Sequence, residues 1–245
     1  MLNPKLIFDV GCHRGDDTAY YLAKGFDVVA IEANPALHRA CVERFGAELA
    51  SGRLRLLDVC VSDVEQTLAF FVNANDGWSS FVESIGTRGG DFRTITVHSV
   101  PLDRLIAEFG VPHFMKIDVE GAEDRLLRAL QRCPIRPTVI ALEVDFYEAD
   151  PIADLERLGY DRFRIIRQPH LVADPELPSW EFTRCSSGPL EPGLLRGEGD
   201  DALQSAPQAR DTFESIRQQS YRWHDLYAVR ADDPAAQGWP HTPGS

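Results

Sequence analysis

The sequence predicts an α/β chain built on a mostly parallel sheet with helices on both faces. Three observations predict it. Short apolar, β-branched runs alternate with stretches of helical period. The runs are apolar throughout, as strands buried on both faces are. Gly, Pro and Asp punctuate the junctions between them. Strand–helix–strand units take right-handed crossovers, which bring the strand C-termini to one edge. Ligands of such sheets sit at that edge, near the switch in strand order.

Along the chain, LIFDV (6–10) precedes the helical stretch 16–25, which stops at a Gly. DVVAIE (27–32) precedes 35–52, where Pro35 suits a helix start and Leu37, Cys41 and Phe45 recur on one face. LRLLDVCVS (54–62) and TLAFFV (67–72) read as strands. ITVHSV (95–100) leads into a helix over 101–110, and HFMKIDV (113–119) into a helix over 121–133. TVIALEV (138–144), a short helix near 151–158, FRIIR (163–167) and WHDLYAVR (223–230) complete the pattern. Residues 169–222 are rich in Pro, Gly, Ser and charge, with one helical stretch near 202–219; they read as an insertion or lid. Residues 231–245 read as a flexible tail. The chain over 1–230 is thus expected to be one domain.

Among the 245 residues, 25 Lys and Arg face 38 Asp and Glu, a formal charge of −13. Such acidity repels phosphate backbones and anionic lipid, so nucleic acid is not an expected partner. No apolar run reaches the roughly 18 residues of a membrane span. Cys12, Cys41, Cys60, Cys133 and Cys185 form no CxxC or Cys/His cluster, which reads as reduced thiols in a cytoplasmic protein. The N-terminus enters a strand-like run at once (KLIFDVG), so a signal peptide is not expected.

Four motifs carry chemistry, each at an expected strand end. Asp9-Val-Gly11-Cys-His13-Arg-Gly15 follows the first strand. A dinucleotide fingerprint has Gly where Asp9 stands, because backbone must approach a pyrophosphate there. A carboxylate repels that group and suits an ammonium or sulfonium. Glu32 ends the second strand, and an acid roughly 20 residues past the loop can accept ribose hydroxyls. Ser62-Asp63 follows the third run, where a carboxylate can accept an adenine amino group, although Asp63 also suits a turn. Lys116-Ile-Asp118-Val-Glu120-Gly121-Ala-Glu123 ends the fourth buried run. Strand alternation would set Asp118 and Glu120 on one side, their proximity raising one pKa, as suits a general base. Glu123 reads as a helix N-terminal charge.

The set DVGCHRGDDT, AIEANP, VSD, NANDGWSSF, VPLDRLI and MKIDVEGAEDRLLRAL resembles the FkbM-type family of S-adenosylmethionine-dependent methyltransferases over about residues 6–145. The resemblance implies a Rossmann-like class I methyltransferase fold: a seven-stranded, mostly parallel sheet whose last strand is antiparallel. It implies S-adenosylmethionine as cofactor and a hydroxyl acceptor on a small molecule, sugar, lipid or natural product. Asp9, Gly11, His13 and Gly15 would surround the methionine part, Glu32 would hold the ribose, Ser62 and Asp63 the adenine, and Asp118 would sit beside the sulfonium. Asp118 and Glu120 are the expected catalytic carboxylates, with His13 the next candidate base. The first strand begins near residue 5, so cover must come from 73–92, where Trp78, Ser79 and Ser80 could line the acceptor site, and from 169–222. Glu143 and Asp145 add acid near the fifth strand end; a divalent metal would want such oxygens, but none is expected here. Two other readings stay open: a cofactor-binding protein without transfer, and an NAD-dependent oxidoreductase. A Gly11→Val change is expected to fill space that the loop backbone needs to approach the cofactor.

Overall fold

A computed structural model describes residues 1–145, 147, 149–167, 203–218 and 224–230. They divide into two compact units, Met1–Pro137 and Thr138–Ser245. In the first unit, β1 (Leu2–Val10), β2 (Asp27–Ile31), β3 (Leu54–Leu57) and β7 (Val111–Ile117) lie parallel in the order β3-β2-β1-β7. Ile7, Phe8, Val10, Phe114, Met115 and Ile117 are buried on these central strands, which explains their unbroken apolar runs. Three polar residues interrupt that core: Asp9 on β1, and His113 and Lys116 on β7.

Helices close the crossovers. Gly15, at φ 76°, precedes α1 (Asp16–Ala23). Asn34 caps α2 (Pro35–Arg44), its side chain accepting the Ala36 N–H at 3.1 Å, with Pro35 in the first turn. The single helix expected over 35–52 is two. It breaks at Phe45 (φ −111°, ψ 30°), and α3 (Gly46–Ser51) restarts at a glycine. α5 (Leu102–Phe109) and α6 (Glu123–Leu130) pack together, and each buries an apolar face, with Leu105 and Ile106 on the first and Leu126 and Leu130 on the second.

The run 54–62 is likewise not one strand. Asp58, a poor strand residue, is exposed where the main-sheet ladder ends, and the chain leaves for a second sheet. There β4 (Cys60–Ser62) pairs parallel with β6 (Phe92–Pro101), and β5 (Gln66–Asn73) antiparallel with β6. A one-turn helix, α4 (Glu83–Gly86), lies between β5 and β6. Ser62 therefore sits on the small sheet and not at the C-terminus of β3. β7 also ends earlier than expected, at Ile117, which leaves Asp118 and Glu120 in the loop beyond it. Strand alternation consequently does not relate those two side chains.

In the second unit, β8 (Val139–Glu143), β10 (His224–Val229) and β9 (Arg162–Arg167) lie in that order, with β10 antiparallel to both neighbours. α7 (Pro151–Arg157) is capped by Asp150, whose carboxylate accepts the Ala153 N–H at 3.0 Å. α8 (Ala206–Arg217) packs on β9 and α7, and Arg210 reaches Asp150 (2.7 Å) and Glu156. The class is the one expected: α/β, with seven sheet strands that are mostly parallel and a last strand that is antiparallel. Of the expected lid, only 203–218 is described; residues 168–202, 219–223 and the tail 231–245 lie outside the described residues. No helix among the described residues is long and apolar enough to cross a membrane.

Phe114 is fully buried on β7 and meets Tyr21 edge-on at 5.8 Å. Phe114→Ala is expected to lower the unfolding free energy by about 3–5 kcal/mol, read by urea titration. A loss below about 1 kcal/mol would remove β7 from the core.

Candidate functional site

The loop after β1 is fixed by backbone. The Gly11 and Cys12 N–H groups both donate to Ile31 O, at 3.0 Å each, and Asp118 N–H donates to Val10 O at 2.9 Å. Gly11 has φ 84°, and a Cβ there would stand 1.8 Å from Asp118 O. Only glycine lets the β1 and β7 loops approach this closely. That corrects the expectation for Gly11→Val: the first clash is with the protein's own backbone. Gly15 is likewise a packing glycine, its would-be Cβ lying 2.5 Å from the Phe45 ring. His13, with φ 52°, is a non-glycine residue in the left-handed region, a conformation costing about 1–2 kcal/mol. Its N–H donates to Glu32 Oε2 at 2.8 Å.

Glu32 lies just past β2 and is buried. Its Oε1 accepts the Asn34 N–H at 2.7 Å, so one carboxylate ties the Gly loop to the start of α2. Burial pushes it up to about 7 against those two hydrogen bonds. A carboxylate offers about four acceptor positions, so capacity remains for a ligand hydroxyl.

Asp9 is fully buried. Its Oδ2 accepts from the Thr18 hydroxyl, while Oδ1 has no hydrogen-bond partner. Burial, then the charge of Asp17, push it up to about 7. Strand register places Lys116 opposite Asp9. Lys116 Nζ reaches Asp17 Oδ2 at 2.8 Å and Asp118 Oδ2 at 3.0 Å. Beyond Asp118, Glu123 accepts from the N–H groups of Val119 (3.0 Å) and Gly121 (3.1 Å), and burial raises it to about 7. It organises the loop before α6, a more specific role than a helix-terminal charge. Glu120 is left-handed (φ 55°), and its Oε2 is buried without a partner. Burial, then the charges of Asp118 and Glu123, push it up to about 9, so it holds its proton at neutral pH.

The structure thus gathers Asp9, Gly11, His13, Glu32, Asp118 and Glu120 where the β1, β2 and β7 ends meet. Ser62 and Asp63 are engaged elsewhere. Ser62 Oγ donates to Asp63 Oδ1 at 3.1 Å, Asp63 Oδ2 lies 3.5 Å from Arg128 Nε, and Asp63 O accepts from Arg132 at 2.8 Å. Trp78 is 37% exposed in a 3-10 turn over Asp76–Trp78, and Ser79 Oγ accepts the Asn73 N–H at 3.2 Å. Ser80 Oγ donates to Glu120 O at 2.8 Å. In the second unit, Glu143 ends β8 and Asp145 accepts the His224 N–H at 3.1 Å.

Sequence reasoning assigned no role to Asp17, Thr18, Asp76 or Lys116. Asp76 lies 3.1 Å from His13 Nε2 and accepts from Arg14, which fastens the segment after β5 to the Gly loop. Burial alone would raise Asp76, but His13 and Arg14 hold it below the ordinary carboxylate range. The available signal was a polar residue inside an apolar strand, Lys116, and an acid pair opening a helix, Asp16-Asp17.

The family model described as "Methyltransferase FkbM domain" matches residues 9–162, a span holding every residue of this cluster. A structure titled as methyltransferase FkbM from Methylobacillus flagellatus KT is 17% identical, with a TM-score of 0.41, over 64% of this chain and 36% of that one. Precorrin-6y C5,15-methyltransferase from Geobacter metallireducens GS-15 is 11% identical, with a TM-score of 0.42, over 94% and 82%. Among curated proteins, none matches the chain in sequence.

Two outcomes follow from the geometry. Gly90 also has a positive φ (76°), but a Cβ there meets nothing within 4 Å. Gly90→Ala should cost about 1–2 kcal/mol and Gly11→Ala about 1–3 kcal/mol more, from overpacking; equal losses on urea unfolding would deny the close approach. The raised carboxyls of Asp9, Glu32, Glu123 and Glu120 set a pH dependence. Unfolded acids release protons near pH 4, whereas these keep theirs to about 7, and Glu120 to about 9. The native state binds more protons in between, so stability should fall from pH 5 to pH 9. Glu120→Gln should flatten the fall between pH 7 and 9; stability rising across that range in the native chain would contradict the assignment.

Proposed function

Because the chain belongs to the FkbM methyltransferase domain family, we propose that this methyltransferase uses S-adenosylmethionine to methylate a hydroxyl of a sugar, lipid or other small molecule. The observation that carries the proposal is the family match, which begins at Asp9 and takes in the whole acid-lined cluster. The cluster suits a cationic nucleoside. Asp9 Oδ1 and Glu120 Oε2 are buried oxygens without partners, and a carboxylate at the Gly loop disfavours the pyrophosphate of NAD.

On this reading Asp9, Gly11, His13 and Gly15 flank the methionine part, Glu32 accepts from the ribose, and Asp118 lies beside the sulfonium. Ser62 and Asp63 remain the adenine candidates from sequence, with Asp63 already paired to Arg128. The cofactor supplies an electrophilic methyl group on sulfur. The chain's own task is to align the acceptor hydroxyl and take its proton. Asp118, 26% exposed and bonded to Lys116, is the assigned base. Glu120, protonated at neutral pH, is placed to donate a hydrogen bond. The family match runs from the first unit to residue 162 in the second, in keeping with a methyltransferase domain that continues past residue 137. The free thiols of Cys12, Cys41, Cys60 and Cys133 suit a cytoplasmic placement.

The test has two stages. Calorimetry with S-adenosylhomocysteine and with NADH should give binding of the first alone; NADH alone binding would favour the oxidoreductase. Methyl-labelled S-adenosylmethionine with a panel of sugars, lipids and phenols should then give transfer, reduced about 10²–10⁴-fold in Asp118→Asn. Cofactor binding without transfer to any acceptor would leave a binding protein. Transfer should survive EDTA, and loss restored by magnesium would overturn the metal-free expectation.

A further inference from the structure

Lys116 lies in the wall of the proposed cofactor site, yet nothing above gives it a part in the chemistry. A lysine with only 7% of its side-chain surface exposed is uncommon and needs paired charge. Its ammonium has two carboxylate partners on different elements. Asp17 Oδ2, in the first turn of α1, lies at 2.8 Å, and Asp118 Oδ2, in the loop after β7, at 3.0 Å. Asp9 stands in register with Lys116 on β1; the charges of Asp17 and Asp118 raise its pKa, and that of Lys116 lowers it. One cation therefore serves three carboxylates, with Glu120 at the next remove. Asp17 is itself buried.

We propose that Lys116 is the positioning residue for Asp118, clamping that carboxylate between β7 and α1 through Asp17, so that the face Asp118 presents to the cofactor is set by a buried ammonium. The clamp engages Asp118 through Oδ2. Without the ammonium, Asp17 and Asp118 would lose the cation that they share. Asp118, the more exposed of them, has the freer way to turn into water. Its placement would be lost although the residue remained. Asp17 would keep its burial and lose its cation, so Asp17→Asn should weaken the same placement in a milder way.

The inference rests on the cofactor reading above, and the experiment separates the two. S-adenosylmethionine is titrated calorimetrically into the native chain, Lys116→Met, Lys116→Arg, Asp118→Asn and the Lys116→Met/Asp118→Asn double variant, after thermal melts confirm folding. Lys116→Met is expected to weaken binding about tenfold, within the coupling found for contacting residues. In the Asp118→Asn background the same change should matter less than about twofold, because a residue acting through Asp118 has nothing left to act on. Lys116→Arg, which keeps the charge, should return to within about threefold of the native affinity. Equal losses in both backgrounds would make Lys116 merely structural, undiminished binding by Lys116→Met would end the proposal, and an Arg variant as weak as Met would remove charge as the cause. No binding by the native chain would sink the cofactor reading and the role of Lys116 with it. Should Lys116→Met fail to fold, Asp17→Asn takes its place in the same cycle, with the same two outcomes.

Discussion

Acid has been taken out of water where β1, β2 and β7 end, and most of the local architecture answers that constraint. Asp9, Asp17, Glu32 and Glu123 are buried within a few residues of these strand ends, and Glu120 is mostly so. Isolated, each would carry a desolvation penalty of several kcal/mol. The chain meets the penalty differently at each. Glu32 and Glu123 take backbone N–H groups, and the loops they organise are the two that carry the other acids. Asp17 and Asp118 share an ammonium. Asp9 has a hydroxyl and a raised affinity for its proton. Glu120 keeps its proton outright at neutral pH.

These solutions are coupled through backbone. The carboxylate of Glu32 holds His13 in a left-handed conformation, which carries the chain on to the glycine at the head of α1. The absent side chain of Gly11 lets Asp118 O come within reach of that same loop. A displacement at the end of β7 is therefore felt at the β1 loop, with no intervening side chain to absorb it. The segment after β5 is fastened to both loops, through Asp76 to His13 and Arg14, and through Ser80 to the carbonyl of Glu120.

The sequence disclosed the fold class because its signals were of long range. Alternating apolar runs and helical periods place β1, β2, β7, α1, α5 and α6 to within a few residues. It disclosed the acids because a carboxylate inside or just after an apolar run is conspicuous, as Asp9 and Glu32 are. What it hid was pairing. Residues 54–62 form one apolar run, yet they serve two sheets, since period alone cannot say which neighbour a strand takes. The partners of Asp63, Arg128 and Arg132, were hidden because they lie far off in the chain. Asp118 and Glu120 looked like alternating strand residues because nothing in HFMKIDVEGAE marks Ile117 as the last paired position. Lys116 was in view throughout, but the meaning of a buried lysine depends on which acids stand within 3 Å of it, and Asp17 comes from another element.

The same arithmetic of charge says what the cluster can admit. Two buried carboxyl oxygens, Asp9 Oδ1 and Glu120 Oε2, have no partner, and a group left so is the one that a ligand can satisfy at a gain. An anion arriving here would meet acids already held close together, and those raised to about 7 would resist losing their protons further; a cation or a hydroxyl donor is the better match. A ligand that binds only the native state stabilises it by an amount that grows with the logarithm of its concentration over Kd, so the acids that burden the fold are the ones a cationic ligand turns to advantage. Polar groups left short of partners in an otherwise consistent core are where sequence and fold conflict locally, and such conflict gathers at functional positions. On that ground most of the weight falls on β1 and β7, where Asp9 Oδ1 and Glu120 Oε2 lack partners.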